Sequence, residues 1–380
     1  MKKKYVGSHE KAREETISQT QKKPAKQKRI KKRWIAVAAL VLVPVMLLGG
    51  VYGVISHYTG KLNYIKRGTE KDMVAITPPP VEGASAEKLK ELEETLKTNL
   101  EAKADWDFTS KDVTNILLIG ADNTSVASLN ERGNADGLII VSINNETKQL
   151  ILTSLMRDIY AFVPDKSYFT KLTLAYHYAG TEALINTIET NFGIPIDNYV
   201  LVNYLTIVDI VDAVGGLSLD VNASELFFMT EKIQQLNIML GKPGMESVID
   251  PEDEGTLTLN GVQTAAYMRI RYAGDGDLDR TARAREVILA LKDKALTMNL
   301  SQLNSLAQVA LPNITTDLDQ GEILSLMLSA PKMLKYEMVS SRIPIDDSFH
   351  YEDINGSMVV IDYGVNSEYL YKSIYEGKTK

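Results

Sequence analysis

The sequence predicts a layered α/β domain. Three observations carry that expectation. Short apolar runs end at Gly or at polar turns, as buried strands do. Segments of helical pattern stop at Gly or Pro. The two kinds alternate along the chain, the order that produces a sheet covered by helices. The chain has 380 residues, 44% apolar and 24% charged, which is enough for a sizeable core. It excludes a wholly disordered chain, a collagen-like fibre and a polytopic membrane protein. The absence of cysteine excludes disulfides, thiolate metal sites and cysteine nucleophiles.

The net charge of −7 conceals a division. Residues 1–33 hold thirteen Lys/Arg against three acids, a net of +10, and the remainder carries −17. Between them residues 34–60 contain no charged side chain. About 20 apolar residues cross a bilayer, so 34–58 is expected to be a transmembrane helix, with Trp34, Tyr52 and Tyr58 toward its ends. The basic flank keeps 1–33 cytoplasmic as a tail and puts the C-terminal bulk outside the cell membrane. A cleaved signal peptide is the rival reading, but its apolar region is shorter and ends in a small-residue cleavage site. The tail also invites a reading as a nucleic-acid arm; fixing topology against anionic lipid is the simpler role.

Residues 59–111 read as linker and stalk. Pro78-Pro79-Pro80 stiffens the linker, Ser85 is the expected N-cap, and Leu89, Leu92, Leu96 and Leu100 share a helical face. That helix either lifts the main domain off the membrane or packs against it. The domain proper is expected over 112–300. NILLIG from Asn115, then 138–143 and 150–155, are strands. Residues 182–191 form a helix stopped by Gly193 and Pro195, 199–202 a strand, 205–214 a helix ended by Gly215-Gly216, and 217–221 a strand. Residues 262–271 lead into a strand and 281–296 form a strong helix. Residues 301–380 extend the same domain, with a helix at 322–328 and a strand at 358–363.

No G-x-S-x-G elbow, P-loop or full dinucleotide fingerprint is present. Four histidines, two of them in or before the apolar segment, do not support a histidine metal site or a Ser-His-Asp triad; His177 is expected to be ordinary packing. Arginine is more telling. Five of twelve fall between 269 and 285. In AYMRIRY a strand projects Arg269 and Arg271 to one face, and a helix projects Arg280 and Arg283 to one face. Convergence of the two pairs makes a phosphate site, since guanidinium binds phosphate oxygens in pairs. Surface salt bridges are the plain alternative. The acids weigh against it: Asp122 follows one strand, Asp136 precedes another, and Arg157-Asp158 follows a third, which is where open α/β sheets place their sites.

The ordered segments NILLIGAD, NADGLIIVSIN, LTSLMRDIYAFVP, KLTLAYHYAG, NFGIPIDNYV, VNYLTIVDIVDAVGGLSLDV, LNGVQTAAYMRIRY and GDGDLDRTARAREVI resemble the LytR-CpsA-Psr family of bacterial envelope proteins. The resemblance implies a mixed central sheet flanked by helices, with a polyprenyl-pyrophosphate held between them. It implies transfer of a lipid-linked glycopolymer, such as teichoic acid or capsular polysaccharide, onto peptidoglycan, assisted by Mg²⁺ (or Mn²⁺), with no nucleic-acid partner. Asp122 and Asp136 match the family's metal-associated aspartates. Arg157, Arg269, Arg271 and Arg280 match its pyrophosphate-binding arginines; Arg283, in the family's G-D-x-x-R-x-x-R stretch, is expected to join them, and Asp277 of the same stretch takes a secondary role. Asp122, Asp136, Asp158 and Arg157 are the expected catalytic set, with Asp158 a candidate proton acceptor. The chain departs from the family pattern at Asn134, where Arg is frequent, and at Gly137, where Thr is; Arg132 stands two residues upstream as a substitute. Asn134 also motivates an alternative, a lipid-binding module or pyrophosphatase with weak transferase activity. A transcription regulator would need the tail to bind DNA, and the tail has no helix-turn-helix pattern.

Overall fold

In the computed structural model, the described residues are 56–69, 78–79, 82–122, 133–274, 276–333, 335–354 and 356–378. The basic tail and nearly all of the expected span at 34–58 lie outside them. Among the described residues no helix is long and apolar enough to cross a membrane.

The centre is a mixed seven-stranded sheet. In chain order its strands are β1 (Asn63–Tyr64), β2 (Val113–Ala121), β3 (Ala135–Asn144) and β4 (Gln149–Leu155), then β7 (Asn198–Asn203), β10 (Thr315–Thr316) and β11 (Glu337–Ile343). They lie in the order β1-β10-β7-β2-β3-β4-β11. β2 runs antiparallel to β3 and parallel to β7, and β4 parallel to β11. Three two-stranded antiparallel pairs stand apart from the sheet: β5 (Tyr160–Val163) with β6 (Tyr168–Lys171), β8 (Leu217–Val221) with β9 (Gly255–Leu259), and β12 (Phe349–Asp353) with β13 (Ser357–Ile361).

Period-two alternation decides which face each strand residue takes. Leu117, Ile119, Leu138, Ile140, Ile151, Leu155, Tyr199 and Leu201 face the main core. Three helices close that face: α1 (Ala84–Ala102), α2 (Leu172–Phe192) and α9 (Tyr363–Tyr375). The stalk helix therefore packs down on the domain. Leu96 is 2% exposed, with Leu89, Leu92 and Leu100 against the same core. Its N-cap is Gly83 rather than Ser85, because the turn before it takes a φ of 70°, which glycine adopts without steric cost. Residues 182–191 are helical as expected, but the element starts at Leu172 and kinks at Gly180, so the sequence pattern catches its second half.

A second core gathers α3 (Tyr204–Ala213), α4 (Ala223–Met239), α5 (Gly261–Tyr267) and α6 (Asp277–Leu296) over the β8–β9 pair. Here one expectation fails. Residues 262–271 lead into no strand: capping by Asn260 and Gln263 starts a helix at Gly261, and turns follow it. Gly261 is where α5 meets α3, and a Cβ there would overlap the Val208 carbonyl. Gly261→Ala is expected to destabilise the fold by about 1–3 kcal/mol through overpacking, read as a lower urea midpoint at unchanged slope.

The other sheet face is covered less completely. Beyond residue 300 come α7 (Leu300–Ala310) and α8 (Gln320–Met333). α8 has no fully buried residue; its Leu326 and Met333 rest half-buried near Ile116, Ile143 and Tyr336. Leu118, Val141, Leu150, Val200 and Val202 on this face stay partly exposed. An apolar trough is thus left between the sheet and its helices. It runs toward the sheet end where β2 and β4 finish and β3 begins.

Candidate functional site

The site begins with a β-bulge. Gly120 pairs with Gly137 and Ala121 with Ala135, so Asp136 is the extra residue of β3. Strict alternation would place Asp136 with Leu138 and Ile140, in the core. The bulge puts Ala135 there instead, fully buried, and turns Asp136 to the trough side. Bulges re-aim single side chains in this way.

Asp136 is encircled by cations. Its side chain is 8% exposed and pairs directly with Arg157, with Arg271 at 3.6 Å and Arg280 at 3.8 Å. Burial pushes its carboxyl up, but Arg157, Arg280 and Arg271 outweigh that and hold it below the usual carboxylate range. Tyr204, the first residue of α3, donates its hydroxyl to Asp136 at 3.4 Å. Burial foremost, with Asp136 adding, raises that hydroxyl's pKa, so it stays a donor. The Tyr204 ring lies 4.7 Å from the Arg269 guanidinium, a cation–π contact that holds Arg269 in place. Arg269 Nη1 is buried and has no hydrogen-bond partner among the described residues. A buried donor left open at this cost is what a phosphate oxygen would satisfy.

Arg269 and Arg271 reach the same place without a strand. The turns after α5 put Ile270 in the second core, fully buried, and leave its two neighbours on the other side. Asp158 sits beside this group, 3.5 Å from Arg157 Nε and 3.8 Å from Lys171 Nζ. Asp122 follows β2, and both its carboxylate oxygens accept from Asn134, one from the backbone N–H and one from the side-chain amide at 3.2 Å. Asn134, which stands where the family pattern has Arg, grips Asp122 without neutralising it. A cavity of about 60 Å³ lies behind Asp136, lined by Gly120, Gly137, Ser154, Tyr204, Met268 and Arg280 among others.

Arg283 does not join this cluster. Its side chain is 5% exposed and donates to Glu225 at 2.8 Å, to the Ile270 carbonyl at 3.2 Å and to the Ala273 carbonyl at 3.0 Å. The residues are three apart, so they sit some 60° apart around the helix; that is enough to send Arg280 to the sheet and Arg283 to α4. Arg132 and the Asp277 side chain lie outside the described residues. His177 packs edge-on to Tyr178 at 5.2 Å, as ordinary packing. Sequence reasoning misses Tyr204 and Lys171. Both stand at the end of a strand, the signal that singles out Asp122 and Asp158.

The model of the LytR_cpsA_psr family matches residues 81–372. A polyisoprenyl-teichoic acid–peptidoglycan teichoic acid transferase, TagU of Enterococcus faecalis, is 28% identical over 258 residues, covering 67% of this chain and 78% of that one. A crystal structure of a Streptococcus agalactiae protein superposes with a TM-score of 0.57 at 25% identity, covering 69% and 88% of the two chains. A LytR-CPS2A-psr family protein solved with bound octaprenyl pyrophosphate lipid superposes with a TM-score of 0.50 at 22% identity, covering 72% and 95%.

Proposed function

The chain belongs to the LytR-CpsA-Psr family, and on that premise we propose that it is a transferase moving a polyprenyl-pyrophosphate-linked glycopolymer onto peptidoglycan. The observation that carries this reading is the arginine group on Asp136, with an open buried donor on Arg269, at the end of a half-covered apolar sheet face. A lipid pyrophosphate has both halves of that chemistry: an isoprenoid tail for the trough and phosphate oxygens for the guanidinia.

In the reaction a peptidoglycan hydroxyl oxygen attacks the phosphorus that bears the glycan. The bond from that phosphorus to the bridging oxygen breaks, and the lipid phosphate leaves with the electron pair. Arg157, Arg269, Arg271 and Arg280 bind the pyrophosphate and offset the charge that grows on the leaving group. The hydroxyl proton needs an acceptor. Asp136, held ionised below the usual range, is a poor base and serves to arrange the arginines. Asp158, 26% exposed and at the rim, takes the proton. Asn134 gives no support to a lipid holder without turnover, since its contacts go to Asp122.

Asp122 and Asp136 are the residues that would hold Mg²⁺. Two carboxylates fit Mg²⁺, which takes one or two and completes its shell with substrate oxygens and water; no larger group of acids or imidazoles that could hold a metal ion is found among the described residues. Once bound, the cation would neutralise phosphoryl charge. The uncharged run and its basic flank support a single-pass anchor with the tail cytoplasmic and the domain outside.

Purified full-length protein should transfer lipid-linked glycopolymer to peptidoglycan in vitro. Arg269→Ala should slow transfer by on the order of 10²–10³-fold with only a small shift of the melting curve, since the lost cation–π contact with Tyr204 is offset by removal of the open buried Nη1 donor. Full activity in that variant would refute the site assignment.

A further inference from the structure

Arg285 has no part in the chemistry above, yet it is a poorly satisfied buried cation. Its Nε and Nη1 are both buried and have no hydrogen-bond partner among the described residues. Its position follows from α6. The Ser154 hydroxyl donates to the Thr281 carbonyl at 3.5 Å, which rests α6 on β4, and Arg285 comes one turn after Thr281. Arg342 is paired opposite Ser154 on β11, so the helix carries Arg285 over the same two strands. Burial first, and then the Arg342 guanidinium, lower the Arg285 pKa; Glu286 offsets this in part. Glu286 is itself taken up, accepting from the Tyr267 hydroxyl at 2.7 Å. Arg342 donates to the Pro344 carbonyl and to Asp346, whose side chain is 86% exposed, and it has further N–H donors to offer.

Two guanidinia set against each other, one with open buried donors, destabilise the fold unless an anion joins them. We propose that Arg285 and Arg342 form a second anion site, which takes a phosphate group of the polymer being transferred. The pair stands one strand out from the reaction centre. The Met156 N–H donates to the Ile343 carbonyl at 2.9 Å, so the ends of β4 and β11 are level, and Arg157 and Arg342 flank that bond. Arg342 is level with Ser154, three residues before Arg157, so a polymer extending from the phosphorus at Arg157 spans about 11 Å, three residues along the strand and one strand spacing across, to reach Arg342. Guanidinium pairs suit phosphate because each offers two parallel donors. The inference rests on the transferase reading and narrows it: the preferred donor is a phosphate-bearing glycopolymer, not a neutral one.

The test uses full-length protein in detergent micelles and two soluble probes of equal length, a glycerol-phosphate oligomer and a neutral oligosaccharide, with affinity read by calorimetry. The Arg285→Gln/Arg342→Gln double variant is expected to bind the anionic oligomer about tenfold more weakly and the neutral one unchanged. Equal affinity of wild type and variant for the anionic oligomer, or an equal loss for both probes, would overturn the proposal. Arg285→Met supplies a control for folding. It should raise the melting temperature by removing an unpaired buried charge, and a fall would mean that Arg285 already has a structural partner, which also overturns the proposal. A wild type that binds the anionic oligomer through this pair but transfers nothing to peptidoglycan refutes the transferase reading and leaves the anion site standing.

Discussion

Asp136→Asn is expected to lower glycopolymer transfer by on the order of 10³-fold while lipid pyrophosphate binds as tightly as to wild type, or more tightly. The two effects separate because Asp136 is an anion among the groups that bind an anion. Its carboxylate pairs with Arg157, Arg271 and Arg280 and so competes with phosphate oxygens for the same N–H donors. Removing the charge frees those donors, which favours ground-state binding. It also removes the group that aims them, and a carboxylate suited to a divalent cation. Binding that is kept while turnover falls is the mark of an interaction made in the transition state. A variant that loses affinity and rate together would mean that Asp136 holds the lipid head directly. The comparison needs titration of lipid pyrophosphate and single-turnover transfer on the same preparation.

The fold class and most of the candidate residues around Asp136 are legible in the sequence for a physical reason. Buried strands of a mixed sheet read as continuous apolar runs, and their ends are marked by the charged residues that break them. Asp122, Asp136, Arg157 and Asp158 are all found by that rule. Residues beyond the strand ends were legible only in part. Arg269 and Arg271 pair in the sequence through an expected strand that the structure lacks, and alternation around a buried Ile270 puts the two side chains together in a turn as well as in a strand. α4, β9 and β11, the last carrying Arg342, show no sequence pattern that predicts them. Its partly exposed pattern resembles no buried run, and its place beside β4 depends on a parallel pairing across nearly two hundred residues. The bulge at Asp136 leaves no sequence signal beyond glycines at 120 and 137, whose close backbone approach only the paired register explains.

The sharpest separation that the structure makes concerns two arginines one turn apart. Arg283→Ala is expected to destabilise the protein by about 3–5 kcal/mol, the cost of removing one partner of a buried ion pair, whereas Arg280→Ala should reduce transfer with a smaller change in stability. Glu225 explains the first. One of its oxygens caps α4 at Asn222 N–H, 3.1 Å away, and the other receives Arg283 Nε. Without Arg283 that carboxylate is 10% exposed and unpaired, and the Ile270 and Ala273 carbonyls lose their donors as well. Those carbonyls bracket Arg271 and follow Arg269, so the segment loosens and activity falls as a consequence of folding. Arg280 leaves behind an Asp136 that still has Arg157 and Arg271. Urea unfolding and transfer rates measured on both variants distinguish the two modes of failure. A double-mutant cycle completes the argument. Glu225→Ala combined with Arg283→Ala should be less destabilised than the sum of the single changes, because the second substitution removes the buried charge that the first one strands. Strict additivity would mean that Arg283 acts through its carbonyl contacts alone, and that Glu225 is stabilised by its cap.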